Sequence, residues 1–126
     1  MTSLLDTLEM NVVQKNKKEV IIEMLITDKV KQPMGYLHGG ASVALAETAA
    51  SIGGLQHIDP KQQSVAGLEI NCNHLKAKKD GKLTAIAVPV HIGRTTMVWE
   101  VKIMDEINEL IAIARCTLAI VKPSVK

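Results

Sequence analysis

The spacing of hydrophobic and polar positions changes several times along the chain. Leu4, Leu5 and Leu8 recur at helical spacing and predict a short amphipathic helix over residues 2–10. Residues 18–27, KEVIIEMLIT, are rich in β-branched and aliphatic side chains and predict a strand. Residues 28–37 carry Pro33 and Gly35 without periodicity and predict a loop. Residues 38–57, HGGASVALAETAASIGGLQH, are rich in alanine and hold one charge, Glu47. Such a stretch is helical by propensity, and a helix that is apolar all round is a buried one. Gly53 and Gly54 are expected to end it.

After Asp59 and Pro60 the pattern turns to β and stays there. Residues 64–76, 82–92, 96–104 and 109–121 are four long runs of strand character. They are separated by Lys79-Asp80-Gly81, by Gly93-Arg94 and by residues 105–108, each suited to a hairpin. In the second run Thr84, Ile86, Val88, Val90 and Ile92 alternate with smaller residues, which predicts that they form the buried face. Short connections favour antiparallel neighbours. The expectation is an α+β architecture: one long central helix wrapped by an antiparallel sheet of five or so strands.

Composition narrows the function classes. A chain of 126 residues is expected to be one domain, spanning 1–126. With 47% hydrophobic and 22% charged residues it reads as globular, not disordered. Fifteen Lys and Arg against 13 Asp and Glu give a net charge of +2, too little to argue for nucleic acid. Tyr36 and Trp99 are the only aromatic residues, so base-stacking platforms are missing as well. Cys72 and Cys116 lie inside apolar runs and read as reduced core residues, not as a disulfide or a metal site. No signal pattern opens the chain, and no charge-free apolar run reaches the ~18 residues of a membrane span. A soluble, cytoplasmic protein is expected, with neither a membrane nor a nucleic acid as partner.

The candidate chemistry gathers at the start of the long helix. A helix's first turn leaves backbone N–H groups unpaired, with partial positive charge behind them. Gly39 and Gly40 there present no side chain to an approaching carbonyl oxygen, which makes an oxyanion site. The same glycines would also serve simply to admit a tight loop into a helix. Glu47 is the sharper signal, because a lone carboxylate in a buried helix is costly unless paired, protonated or functional. Burial favours the neutral form of a carboxyl, the direction that suits a general base near neutrality. Ser51, four residues on, is placed to hold that carboxylate. The structural alternative is a Glu47 partnered by a lysine or a backbone donor. His38, His57, His74 and His91 show no metal-ligand spacing, so no metal and no organic cofactor is expected. His38 can orient the preceding loop through backbone carbonyls or contact a reacting group. No nucleophile elbow, Walker loop or dinucleotide fingerprint is present, and Ser42 and Ser51 lack a base partner.

The run Gln32-Pro33, Gly35 to Ser42 and Leu45-Ala46-Glu47 resembles the hotdog-fold acyl-CoA thioesterases. It is most similar to the branch of the phenylacetate-pathway, 1,4-dihydroxy-2-naphthoyl-CoA and 4-hydroxybenzoyl-CoA enzymes. The resemblance continues through Gly67 to Asn71, Asn73-His74, Pro89, His91, Gly93-Arg94 and Trp99. It implies a hotdog fold and hydrolysis of an acyl-CoA to an acid and free CoA. It implies Glu47 as nucleophile or general base, and the Gly39 N–H, with or without Gly40, as oxyanion donor. Gln32 and His38 match positions that place the substrate, and Ser51 matches a supporting hydroxyl. Gly67, His74, Leu75, Lys76 and Ala77 match segments lining the CoA channel. So do His91, Ile92, Gly93, Arg94, Thr95 and Thr96. Lys76, where relatives tend to carry Arg, and the order Arg94-Thr95-Thr96 depart from the pattern and leave the acyl group open.

Lys76, Lys78, Lys79 and Arg94 are placed to meet CoA phosphates, although Lys78 and Lys79 also read as a solvated hairpin. Ala44, Thr48 and Ala49 leave room beside Glu47 for a planar aromatic acyl group. The alternatives are a non-catalytic acyl-CoA binding module on the same fold, or a dehydratase, which would want a His–carboxylate pair. Eight residues of helix separate Gly39 from Glu47 by about 12 Å, too far for both to serve one carbonyl. That spacing predicts a homodimer with shared sites, and the resemblance implies dimers paired further into a homotetramer.

Overall fold

A computed structural model describes residues 2–123. The opening helix, α1 (Leu4–Thr7), is one turn long and closed by a capping box between Ser3 and Asp6. It stops short of the expected Met10 because Glu9 adopts a left-handed conformation, φ 59°. A strand that the periodicity does not announce follows, β1 (Asn11–Lys15), and pairs with β2 (Val20–Leu25). Four of the five β1 residues are exposed, so burial leaves no alternation there to read. Within the expected loop, Asp28–Val30 forms a 3-10 turn and Lys31 bridges Leu37. Then come α2 (Gly39–Leu55), β3 (Ser64–His74), β4 (Lys82–Ile92), β5 (Thr96–Met104) and β6 (Leu110–Val121).

The six strands form one antiparallel sheet in the order β1-β2-β4-β5-β6-β3, one strand more than expected. Gly93-Arg94 and residues 105–108 do join hairpin neighbours, β4 to β5 and β5 to β6. Lys79-Asp80-Gly81 does not. β3 pairs with β6 at the far edge, and the segment after it crosses to β4. The N–H groups of Leu75 and Lys76 both donate to the Ile111 carbonyl, which turns the chain off β6 towards that crossing.

Helix α2 lies against β2, β3, β4, β5 and β6, which is the hotdog arrangement. Gly53 and Gly54 do not end it; it runs through both to Leu55. A Cβ on Gly53 would stand 2.6 Å from the ring of the fully buried Trp99, so this glycine permits close approach of helix and sheet. The same closeness explains which face of β4 is buried. Leu83, Ala85 and Ala87 face α2, whereas Thr84, Ile86 and Val88 are half-buried on the outer face and Val90 and Ile92 are exposed, opposite to the expected choice. An alanine-rich helix packed tightly on a sheet leaves space for alanine beneath it, not for isoleucine. Nor is α2 buried all round: Val43, Ala44, Glu47, Thr48, Ser51 and Ile52 are half-buried and Leu55 is exposed along one face. Among the described residues no helix is long and apolar enough to cross a membrane.

Candidate active site

The loop before α2 is tied at successive residues. Gln32 and Tyr36 close a turn through Gln32 N–H to Tyr36 O, with Gly35 at φ 91° and the Gln32 side-chain oxygen accepting from Met34 N–H. Leu37 N–H donates to Lys78 O at 2.7 Å, and His38 N–H donates to Val30 O at 2.8 Å. His38 is the N-cap, and its ring binds a backbone amide, not the backbone carbonyls that are one of its two expected partners. Its Nδ1 accepts from Gly40 N–H at 2.7 Å, leaving Nε2 as the ring's donor. Ala41 N–H is taken by His38 O. The Gly40 amide is therefore occupied, and the Gly39 N–H finds no acceptor among the described residues.

Gly39 lines a cleft of about 590 Å³ together with Gln32, Tyr36, Ser42 and His74. A Cβ on Gly39 would stand 3.1 Å from the His74 ring, so that imidazole covers the helix start. Leu75, Lys76, Ala77 and Lys78 form another wall, and Ile111 closes it. Lys76 pairs with Glu109, and Lys79 stacks over the Tyr36 ring at 5.0 Å. Lys78 is not a solvated hairpin residue: its side chain is 15% exposed and its ammonium is shared by Glu106 at 2.8 Å and Asp105 at 3.2 Å. The hydrogen bond to Glu106 raises the Lys78 pKa and in turn lowers that of Glu106.

Glu47 lies elsewhere. It shares a second concavity with Leu4, Leu5, Ala44, Thr48, Ser51 and Leu55, and none of these residues borders the first cleft. Its carboxylate rests over Gly67, where a Cβ would meet Oε2 at 2.5 Å. Glu47 is half-buried, not enclosed, and the expected hydrogen bond from Ser51 is not formed. Thr48 Oγ1 donates to Ala44 O at 2.7 Å, which turns its methyl group to the surroundings. Ala49 faces the core and gives no room beside Glu47. Beneath the helix, burial pushes the Cys116 thiol up to about 11, with the charges of Glu47 and Glu69 adding to the effect. Cys116 and the half-buried Cys72 are both free thiols.

His91, Ile92, Gly93, Arg94, Thr95 and Thr96 form the β4–β5 hairpin and border neither concavity. The hairpin closes through Gly93 N–H to Thr96 O, and Thr95 O accepts from Ile120 N–H. Tyr36, Ser42 and Ile111 are cleft residues to which the sequence reading assigns no part in the site. Ser42 carried a usable signal, since it lies one turn from Gly39 on the same helix face. Among the described residues no three His, Cys, Asp or Glu side chains converge as a metal site would need.

Comparison with known proteins identifies the family. Residues 34–112 match the family described as the thioesterase superfamily. The 1,4-dihydroxy-2-naphthoyl-CoA hydrolase of Listeria monocytogenes is 50% identical over 117 residues, covering 93% of this chain and 94% of its own. A Staphylococcus aureus thioesterase superposes with a TM-score of 0.93 at 48% identity, covering 97% of this chain and all of its own. A Haemophilus influenzae thioesterase gives 0.91 at 36% identity, over 96% and 84% of the two chains. With its long helix, antiparallel sheet and glycine-led helix start, the chain belongs to the thioesterase superfamily.

Proposed function

We propose that this enzyme hydrolyses aromatic acyl-CoA thioesters at a site built by two copies of the chain. The observation that carries the reading is the unpartnered Gly39 N–H, which stands at the cleft while Glu47 lies outside it. The thioester oxygen accepts from Gly39 N–H, backed by the positive end of the α2 dipole. Glu47 of the partner subunit takes a proton from water as water attacks the carbonyl carbon, or attacks that carbon itself, expelling CoA thiolate and leaving a mixed anhydride that water then hydrolyses to the acid and the free carboxylate. In the water route the new C–O bond forms, the C–S bond breaks and the proton passes to the departing CoA sulfur. Two α2 helices running antiparallel across a two-fold axis bring Gly39 of one to Glu47 of the other, twice. The half-exposed face of α2, which mixes Val43, Ala44, Ile52 and Leu55 with Glu47, Thr48 and Ser51, and the largely exposed edge strand β3 are surfaces such pairing would cover.

The aromatic preference rests on the small, methyl-lined ground beside Glu47 made by Ala44 and Thr48, and on the Listeria monocytogenes relative's activity. The test combines two inactive parents. Glu47→Gln removes the carboxylate, and Gly39→Pro removes the amide at the first helical position, where proline is tolerated. Each alone is expected to lose turnover while keeping its fold, and heterodimers formed after reversible dissociation regain one working site of two. Verified heterodimers without activity, or an active monomer, would overturn the shared site. A kcat/KM preference of about tenfold for medium-chain aliphatic over benzoyl-CoA would overturn the aromatic assignment.

A further inference from the structure

We propose that Asp105 and Lys78 are a positioning pair, holding the Gly39 amide in place through the Leu37 backbone. The inference rests on Gly39 being the oxyanion donor. Asp105 is 3% exposed, and with Ser42 it is one of two buried polar residues among those described. A buried carboxylate is costly unless hydrogen bonds and an opposite charge satisfy it. Its Oδ1 serves the β5–β6 turn, accepting from Glu109 N–H at 2.8 Å and Ile107 N–H at 3.1 Å. An asparagine would satisfy that turn equally well. The negative charge is accounted for by Oδ2, which faces the Lys78 ammonium at 3.2 Å.

The segment that carries Lys78 has little else to hold it. Among the described residues, no backbone N–H of residues 77–80 finds an acceptor. Its side-chain fastenings are the bonds from Lys78 to Asp105 and Glu106 and the contact of Lys79 with Tyr36. From that held segment the Lys78 carbonyl accepts the Leu37 N–H at 2.7 Å, two residues before Gly39. The next amide, His38 N–H, is bound by the carbonyl of the buried Val30. Of the two amides just before Gly39, one is thus tied to the core and the other to a segment held by the bonds of Lys78 to Asp105 and Glu106. Releasing the latter lets Gly39 shift, and a misplacement near 1 Å costs on the order of 10² in rate.

The experiment measures kcat, KM and Tm with benzoyl-CoA for Lys78→Met, Asp105→Asn, Lys78→Arg and Gly39→Pro. Lys78→Met is expected to lower kcat about 10- to 100-fold, and Asp105→Asn, which leaves the bond to Glu106, about 3- to 10-fold, with KM changed by less than about threefold in both. Lys78→Arg, which can still bridge two carboxylates, should restore most of the rate. In the Gly39→Pro background, Lys78→Met should have no further effect on the residual rate. Asp105→Asn keeps the turn's acceptors and carries the test if Lys78→Met does not fold. An unchanged kcat in the folded variants overturns the pair. So does a rise in KM alone, which would mean that the ammonium meets substrate phosphate, or a rate loss explained wholly by unfolding. Full activity in Gly39→Pro would instead remove the donor assignment. Loss of activity there, with Lys78→Met unaffected, would remove only the positioning pair.

Discussion

Gly67→Ala separates catalysis from stability within one methyl group. Gly67 faces α2 from the edge strand, opposite the buried Leu118 on β6. The added Cβ would stand 2.5 Å from Glu47 Oε2, and among the described residues the only atoms beyond its chain neighbours within 4 Å belong to the Glu47 carboxylate. The carboxylate must retreat by about 0.9 Å to reach ordinary van der Waals contact. Being the end of a flexible side chain, it can do so without moving the backbone. A displacement of that size at a reacting group, the role proposed above for Glu47, costs on the order of 10² in kcat, about 2.7 kcal/mol. The fold, by contrast, exchanges a strand glycine for alanine and gains about 0.5–1 kcal/mol. For a chain of 126 residues that is a rise of about 2–4 °C in Tm. Thiol release at saturating acyl-CoA, read with a chromogenic disulfide, and scanning calorimetry on the same samples give both quantities. A variant with unchanged kcat and raised Tm would show that the position of Glu47 over Gly67 is not the one used in the reaction. A fall in Tm would show that the strand, not the side chain, takes up the methyl group.

Gly53→Ala should do the reverse, because its Cβ would stand 2.6 Å from the Trp99 ring, which is fully buried and cannot swing aside. Overpacking of about 1–3 kcal/mol, net of helix propensity, corresponds to a Tm lower by about 4–12 °C; a raised Tm would refute the account of Gly53 as the residue that admits Trp99. At high pH the Cys116 thiol stays protonated in the fold up to about 11, whereas it ionises from 9.0 when exposed by unfolding. The unfolded chain loses that proton first, so stability falls by about 1.4 kcal/mol per pH unit across this window, about 3 kcal/mol in all. Denaturant midpoints from pH 8 to 11 should fall more steeply in the wild type than in Cys116→Ala, and parallel curves would refute the buried-thiol origin.

Local regularities made much of this protein legible before its structure. The long helix follows from alanine-rich propensity, and β4 and β5 follow from runs of β-branched residues, because such preferences act within a few neighbours. Gly39 and Glu47 stand out for a similar reason: glycines at a helix start and a lone carboxylate within it have a chemical meaning wherever they occur, whereas Gln32 is reached only through the family resemblance. Strand partners are another matter, since pairing joins residues far apart in sequence; nothing near residues 79–81 announces that β3 belongs beside β6. Which face of β4 is buried, and whether Gly53 ends the helix or admits Trp99, depend on how closely two layers approach. The same holds for the lysine of the cleft wall, whose buried acidic partner lies 27 residues away on another turn. Sequence spacing alone established that Gly39 and Glu47 are about 12 Å apart along one rigid helix. Only the tertiary structure decided that they open into separate concavities, because the sheet buries one side of that helix and leaves the side of the carboxylate, at the edge strand β3, half-exposed.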